Sequence, residues 1–432
     1  MIHRKRRMGS RERRLRCESL EDRRVLSAVT VSTPSDVQDG NVASISLLVS
    51  NPGPDGKISL REAILAANSV TDADTITFAA NINTISLTVG ELSITTTVTI
   101  DASMLENGIT IDASMADQST DPGDGIRIFN ITGSGSTLVT LKNLMLTGGD
   151  VNGTGGAITS TASLTLQDCI ITGNQATGEG GGVRFDGTNL EVNSSTLRDN
   201  TSGNPNAFGA SGGGMFAKSS NGAITIEQSI FDANRSMGVN GDGAGAYLRA
   251  SSSDLTIIGT TITGNRALGQ EANAGGLLIL TSGGSPVEID GLQITDNHAD
   301  DDMGGLYVYN VDADVTLKNC TISNNTAGHT GGAADAAAGI WLRNGAVTVS
   351  FNPTTTIENS TISGNVILPP SGPGDAENVG GAGLYIQALD GTIFLRNSTI
   401  SGNRAQGSGG GIQIAYGSTA QTKSPPPSTS TS

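Results

Sequence analysis

The stretch Gly304-Gly305-Leu306-Tyr307-Val308-Tyr309, followed after a short break by Val315-Thr316-Leu317-Lys318-Asn319-Cys320-Thr321-Ile322-Ser323-Asn324-Asn325, decides how this chain folds. It is one copy of a repeat: Gly-Gly-apolar-x-apolar, then apolar-x-apolar, then x-Ile-x-x-Asn. With the closing Asn as anchor, other copies end at Asn174, Asn200, Asn234, Asn265, Asn297, Asn365 and Asn403. Three residues before each anchor stand Ile171, Leu197, Phe231, Ile262, Ile294, Ile322, Ile362 and Ile400. Eight before it stand Leu166, Val192, Ile226, Ile257, Ile289, Leu317, Ile357 and Leu395. An earlier copy carries Val139, Leu141 and Leu146 but ends on Gly149. Positions ten and eight, then five and three, before the anchor are pairs two residues apart, the spacing at which strand side chains share a face.

With the segment after the Gly pair, this makes three short strands per copy and leaves no room for a helix. The expectation is an all-β fold: a single-stranded right-handed parallel β-helix, pectate-lyase-like, of about nine or more coils with a short N-terminal capping helix. Length varies almost wholly between the Asn and the next Gly pair, so insertions leave one corner. Stacked Asn residues can bond to one another along the axis, and the Gly pair is expected to supply a corner of positive φ. Both residue types are read as structural.

The chain has 432 residues, 59 of them Gly, with only 3% aromatics and a net charge of −16. Residues 1–27 hold ten basic and four acidic side chains, leaving 15 basic and 37 acidic for the rest. So acidic a body argues against nucleic acid and against an anionic membrane surface as partners. No apolar run is long enough for a transmembrane helix. Cys169 and Cys320 occupy the same offset five coils apart, roughly 24 Å at the usual strand spacing, too far for a disulfide. They are expected to be buried, with Cys17 lying in the basic segment.

Four regions follow: a basic targeting segment over 1–27, a cap region over 28–105, the β-helix over 106–417, and a Pro/Ser/Thr-rich tail over 418–432. Residues 28–50 read as a strand and a loop. Ser59 and Glu62 are spaced as a capping box, and Leu60, Ile64, Leu65 and Ala67 follow helical spacing, predicting a helix over 60–68 that covers the first coil. No capping pattern follows the last copy, so either the chain continues or a partner meets that end.

Three segments resemble known families. Cys17-Glu18-Ser19-Leu20-Glu21-Asp22-Arg23-Arg24-Val25-Leu26-Ser27 resembles the N-terminal signature of exported planctomycete surface proteins, which implies an extracellular or cell-envelope location. Ser59 to Ala63, Asn68 and Asp74-Thr75-Ile76-Thr77-Phe78 resemble the domain named for its Cys-Ser-Leu-Arg-Glu-Ala motif, with Ile58 where the Cys stands. Gly155 to Ile158 and Phe231-Asp232-Ala233-Asn234 are similar to the paired repeats of chlamydial polymorphic outer-membrane proteins. These resemblances imply a surface-exposed adhesive or structural protein.

After each Gly pair the outward column reads Ile158, Arg184, Phe216, Tyr247, Leu278, Tyr307, Trp341, Tyr385, Gln413, and the next Ser160, Asp186, Lys218, Arg249, Leu280, Tyr309, Arg343, Gln387, Ala415. The aromatics Phe216, Tyr247, Tyr307, Tyr309, Trp341 and Tyr385, with Arg249 and Arg343, are the candidate ligand-binding residues: a strip suited to a polysaccharide or cell-envelope component. The alternative is a stabilising ladder, or a strip covered by the loops. Asp300, Asp301 and Asp302 are the candidate calcium ligands, weighed against a solvated charge run; Asp242, Glu271, Asp335, Asp375 and Glu377 lie in other loops. No catalytic residue is assigned. His3, His298 and His329 show no triad or metal spacing, and Arg249 and Arg343 stand about three coils, roughly 14 Å, apart. The reading is a non-catalytic surface or secreted β-helix protein, adhesive or structural. The alternative is a polysaccharide lyase or glycoside hydrolase built on the Arg249/Arg343 face.

Overall fold

A computed structural model describes residues 27–116, 123–205, 208–310, 312–328, 337–344, 353–368, 380–388, 392–405 and 409–416. The basic segment to residue 26, the tail from 417, and His329, Asp335, Asp375 and Glu377 lie outside them. The chain is a right-handed parallel β-helix, the hand that parallel crossovers take.

Each full coil carries four strands rather than the three expected. In the coil quoted above they are Leu306–Asn310, Val315–Lys318, Thr321–Ser323 and Thr326–Ala327. Stacking produces four rows. Among the described residues, the first two join in one sheet of 21 strands, because Val183–Asn193 and Met215–Glu227 run unbroken through the bend between them. Among the same residues the third row has 11 strands and the fourth 8. The fourth-row strands are two residues long, too short to show a period, and their inward positions are small residues such as Ala176, Ser202, Ala267 and Ala299. Neighbouring coils pair parallel and in register, as in Leu306↔Ile340, Tyr307↔Trp341 and Val308↔Leu342. Alternate residues of rows one to three point inward and form one continuous apolar core.

Polar ladders run through this core. Each anchor Asn donates through Nδ2 to the Oδ1 of the next, at 2.9 to 3.0 Å from Asn174 to Asn403. The same Oδ1 also receives the previous anchor's backbone N–H, as in Asn234 N–H to Asn265 Oδ1 at 2.9 Å. A second ladder runs at the corner of the two cysteines: Cys169 N–H donates to Ser195 Oγ at 3.0 Å, and Cys320 N–H to Ser360 Oγ at 3.1 Å. Both thiols are buried and free. Burial pushes Cys169 up to about 12 and Cys320 to about 11, so both stay protonated.

The Gly pair does a different job from the one expected. Positive φ falls on the residue before it: Gly212 at 71°, Gly243 at 63° in the next coil, and Ala274 at 55° and Met303 at 64° in the two after that. The pair itself is fixed by close approach. A Cβ on Gly214 would lie 2.5 Å from the Gly245 carbonyl oxygen and 2.9 Å from the Asn234 carboxamide. The Asn ladder and the Gly pair are therefore two halves of one contact.

The N-terminal end is closed by two helices. The shorter, α1 (Ile45–Ser50), falls where a loop was expected; its six residues are too few to show helical spacing. The longer, α2 (Leu60–Asn68), carries the capping box: Glu62 N–H donates to Ser59 Oγ and Ser59 N–H to Glu62 Oε2. Its residues Leu60, Ala63, Ile64 and Ala67 are buried. It lies against Leu92–Ile94, the first strand of the first row, whose other side pairs with Phe129–Ile131. Arg61 forms a two-pronged bond to Asp36 at 2.7 and 3.0 Å and donates to the carbonyls of Gly90 and Glu91. Asn68 donates to Ser93 O at 2.7 Å and accepts from Thr95 N–H at 2.9 Å. These two side chains take the hydrogen bonds that a preceding strand would have taken.

Candidate functional site

The outward side of the first row is built by the residues that follow each Gly pair. Inward Leu306 and Val308 hold the strand to the core, so Tyr307 and Tyr309 must face out. The register places Phe216, Tyr247, Leu278, Tyr307, Trp341, Tyr385 and Gln413 in one column. Lys218, Arg249, Leu280, Tyr309, Arg343 and Gln387 form the next. In the first copy the register differs from expectation: Ile158 pairs with inward Val183, so Thr159 and not Ile158 faces out beside Arg184, and Ser160 is buried. The cause is Ala157 in the place of the second Gly.

The structure does bring the aromatics together. Phe216 stacks on Tyr247 with centroids 4.8 Å apart; Tyr307 lies 5.5 Å from Trp341, and Trp341 4.8 Å from Tyr385. It does not leave them all open. Phe216, Trp341 and Tyr385 are 6%, 9% and 1% exposed, so the inner column is not the platform expected of it. Loop residues Ala274, Met303 and Ala337 pack over it with Leu278, making a second apolar cluster outside the coil. What remains accessible is a lip: Tyr247, Tyr307, Tyr309 and Arg343 partly buried, and Arg249 exposed. The Arg343 guanidinium sits over the Tyr309 ring at 4.8 Å. Burial raises the Tyr307 hydroxyl above its ordinary range and pushes Tyr247 up to about 12, so both remain hydrogen-bond donors. Trp341 Nε1, Arg343 Nε and Gln413 Oε1 are buried atoms without a hydrogen-bond partner.

Two carboxylates beside this face are paired with cations. Asp186 bridges Arg184 at 3.1 Å and Lys218 at 3.3 Å, and Glu179 also meets Arg184. A third, Asp242, stands close enough to act on both Tyr247 and Tyr307.

The run Asp300 to Asp302 is not a solvated charge run, since Asp301 and Asp302 are each only 6% exposed. Nor do the three converge as ligands. Asp300 bonds His298 and the Gly269 N–H. Asp302 instead continues a corner ladder: Asn273 N–H donates to Asp242 Oδ1 at 2.9 Å and Asp302 N–H to Asn273 Oδ1 at 3.1 Å. Among the described residues no group of three His, Cys, Asp or Glu side chains is placed to hold a metal. In the same ladder burial lifts the Asp242 carboxyl to about 7, with Asp301 adding to the rise and the Asn273 bonds opposing it. The sequence did not display a second cluster, on the fourth row. His298 joins Thr326 and Asp300, a contact across coils that no linear spacing shows.

Residues 240–424 match the family model described as a right-handed β-helix region. Comparisons with curated proteins and with solved structures found no match. No helix among the described residues is long and apolar enough to cross a membrane.

Proposed function

We propose that this is a β-helix protein of the cell surface or extracellular space, adhesive or structural in role, whose first-row lip binds a glycan chain without catalysing its cleavage. One observation carries the binding reading: Tyr247, Tyr307 and Tyr309 line the first row beside Arg249 and Arg343 and keep part of their rings accessible. Tyrosine faces with hydroxyl donors at their edge suit the apolar faces and hydroxyl rims of sugar rings. The surface reading is supported by the N-terminal resemblances; Asp186, the one carboxylate in the outward columns, is tied to two cations and is not free for the lyase or hydrolase reading.

The test is calorimetric titration of the chain with a panel of polysaccharides, with and without calcium, while ultraviolet absorbance watches for unsaturated sugar products. Binding without product is expected, weakened at least tenfold in Arg249→Ala and Tyr309→Ala. Product formation would replace this reading with a lyase; no binding across the panel would leave the lip structural.

A further inference from the structure

On the fourth row, away from the lip, three side chains from two successive coils meet. His298 Nδ1 lies 2.8 Å from Thr326 Oγ1, and His298 Nε2 lies 3.0 Å from Asp300 Oδ1. The carboxylate is held from a second side by the Gly269 N–H, 2.9 Å from Asp300 Oδ2. The His298 bond is the main reason the Asp300 carboxyl sits below its ordinary range; with Asp300 ionised, the neutral imidazole carries its proton on Nε2 and leaves Nδ1 to accept from the Thr326 hydroxyl. A hydroxyl is a weak nucleophile until a base takes its proton, and a base works best when a third group orients it. The three contacts supply those parts in order.

The fold itself does not call for these residues. The position of His298 and Thr326 is held by Thr201, Arg235, Arg266 and Val366 in other coils. The site is also open: His298 and Asp300 side chains are 22% and 36% exposed, and Thr326 is partly exposed. Arg266 pairs with His298 in the neighbouring strand and is exposed, placing a guanidinium beside the cluster.

We propose that Thr326 is a nucleophilic hydroxyl, with His298 as its general base and Asp300 as the positioning residue, and that the site takes acyl donors such as activated esters. Thr326 Oγ1 attacks the carbonyl carbon as its proton passes to His298 Nδ1. Collapse breaks the bond to the leaving alkoxide, which takes that proton, and leaves an acyl ester on Thr326. Water then repeats the sequence, releasing the acid and restoring the hydroxyl. This activity is independent of glycan binding at the lip.

The experiment uses the full chain with p-nitrophenyl acetate, and separately a fluorophosphonate probe whose adduct is located by peptide mass spectrometry. Nitrophenolate release is expected to fall at least tenfold in Thr326→Val, His298→Gln and Asp300→Asn, and to persist in Thr326→Ser; one general base typically contributes about 100-fold or more. Thr326→Val suits the strand, since Val366 fills this position one coil on. The probe is expected on Thr326. Equal rates in the native chain and Thr326→Val, a loss shared by Thr326→Ser, or labelling elsewhere would overturn the proposal. An unchanged rate in Asp300→Asn would overturn the role given to Asp300.

Discussion

Asn265 sits in the middle of the buried ladder, where its carboxamide serves four neighbours. Nδ2 donates to Asn297 Oδ1, Phe231 O and Thr263 O, while Oδ1 accepts from Asn234. Its replacement by Ala strands several buried polar groups, each costing about 1–3 kcal/mol. Asn265→Ala is therefore expected to lower stability by about 3 kcal/mol or more, read as a large drop in the thermal midpoint. Asp242 offers the opposite case. Its carboxyl sits at about 7 in the folded chain against 3.8 ordinarily, so the folded state binds the proton more tightly than the unfolded one. Its contribution to stability is thus fullest below about pH 4 and declines as pH rises toward 7. Asn273 holds the equivalent ladder position one coil on. Asp242→Asn should therefore keep the ladder bond and gain stability over the native chain between pH 5 and 8. A series of melting curves across that range checks it; a gain that did not grow with pH would exclude this account. At this scale the Asn ladder was legible because its offset never changes. The burial of Trp341 and Tyr385 was not, because strand alternation gives a side chain's direction and is silent on what lies over it.

At the scale of elements, α2 shows how a short motif can encode an ending. Every residue from Ser59 to Ala63 contributes to the closure. Ser59 and Glu62 complete the capping box, Arg61 holds Asp36 and two carbonyls, and Leu60 and Ala63 are buried. Glu62 also receives the N–H groups of Asp39 and Gly40, tying the preceding loop to the helix. Removing Arg61 and Asn68 together should bare the edge of Leu92–Ile94 while leaving the apolar seat of the helix. Arg61→Ala/Asn68→Ala is expected to associate through that edge, seen as a mass above the monomer's by light scattering; a monodisperse monomer would show the edge is guarded otherwise. The helix and capping box were readable because caps and periodicity are local. The fourth-row strands were not, having two residues each and, Ile367 apart, inward side chains such as Ala176, Ser202 and Ala267 that packing selects for size rather than hydrophobicity. The cluster of His298, Thr326 and Asp300 was hidden for another reason: His298 and Thr326 are joined only by the coil's register.

For the whole molecule, repetition makes both the core and the charge distribution one-dimensional. Each coil meets only its neighbours, so stability accumulates from coil-to-coil interfaces rather than from one central core. Outward charges follow the same rule. Asp290, Lys318, Glu358 and Arg396 alternate in sign down one column, a pattern in which every cross-strand pair is attractive and a slip of one coil would oppose like charges. The alternation was present in the sequence, but its meaning depended on knowing which residues stack.

The parallel ladders also settle how this molecule would carry a load. Tension along the axis pulls each coil directly away from the next, so the bonds of one interface bear it together while successive interfaces bear it in series. Coils would peel from an end one at a time. A coil of the length between Asn265 and Asn297 would release about 100 Å of chain, given roughly 3.4 Å per extended residue. A chain tethered at its two ends would behave as a stepwise extensible spacer, yielding by one coil before a neighbouring coil is disturbed.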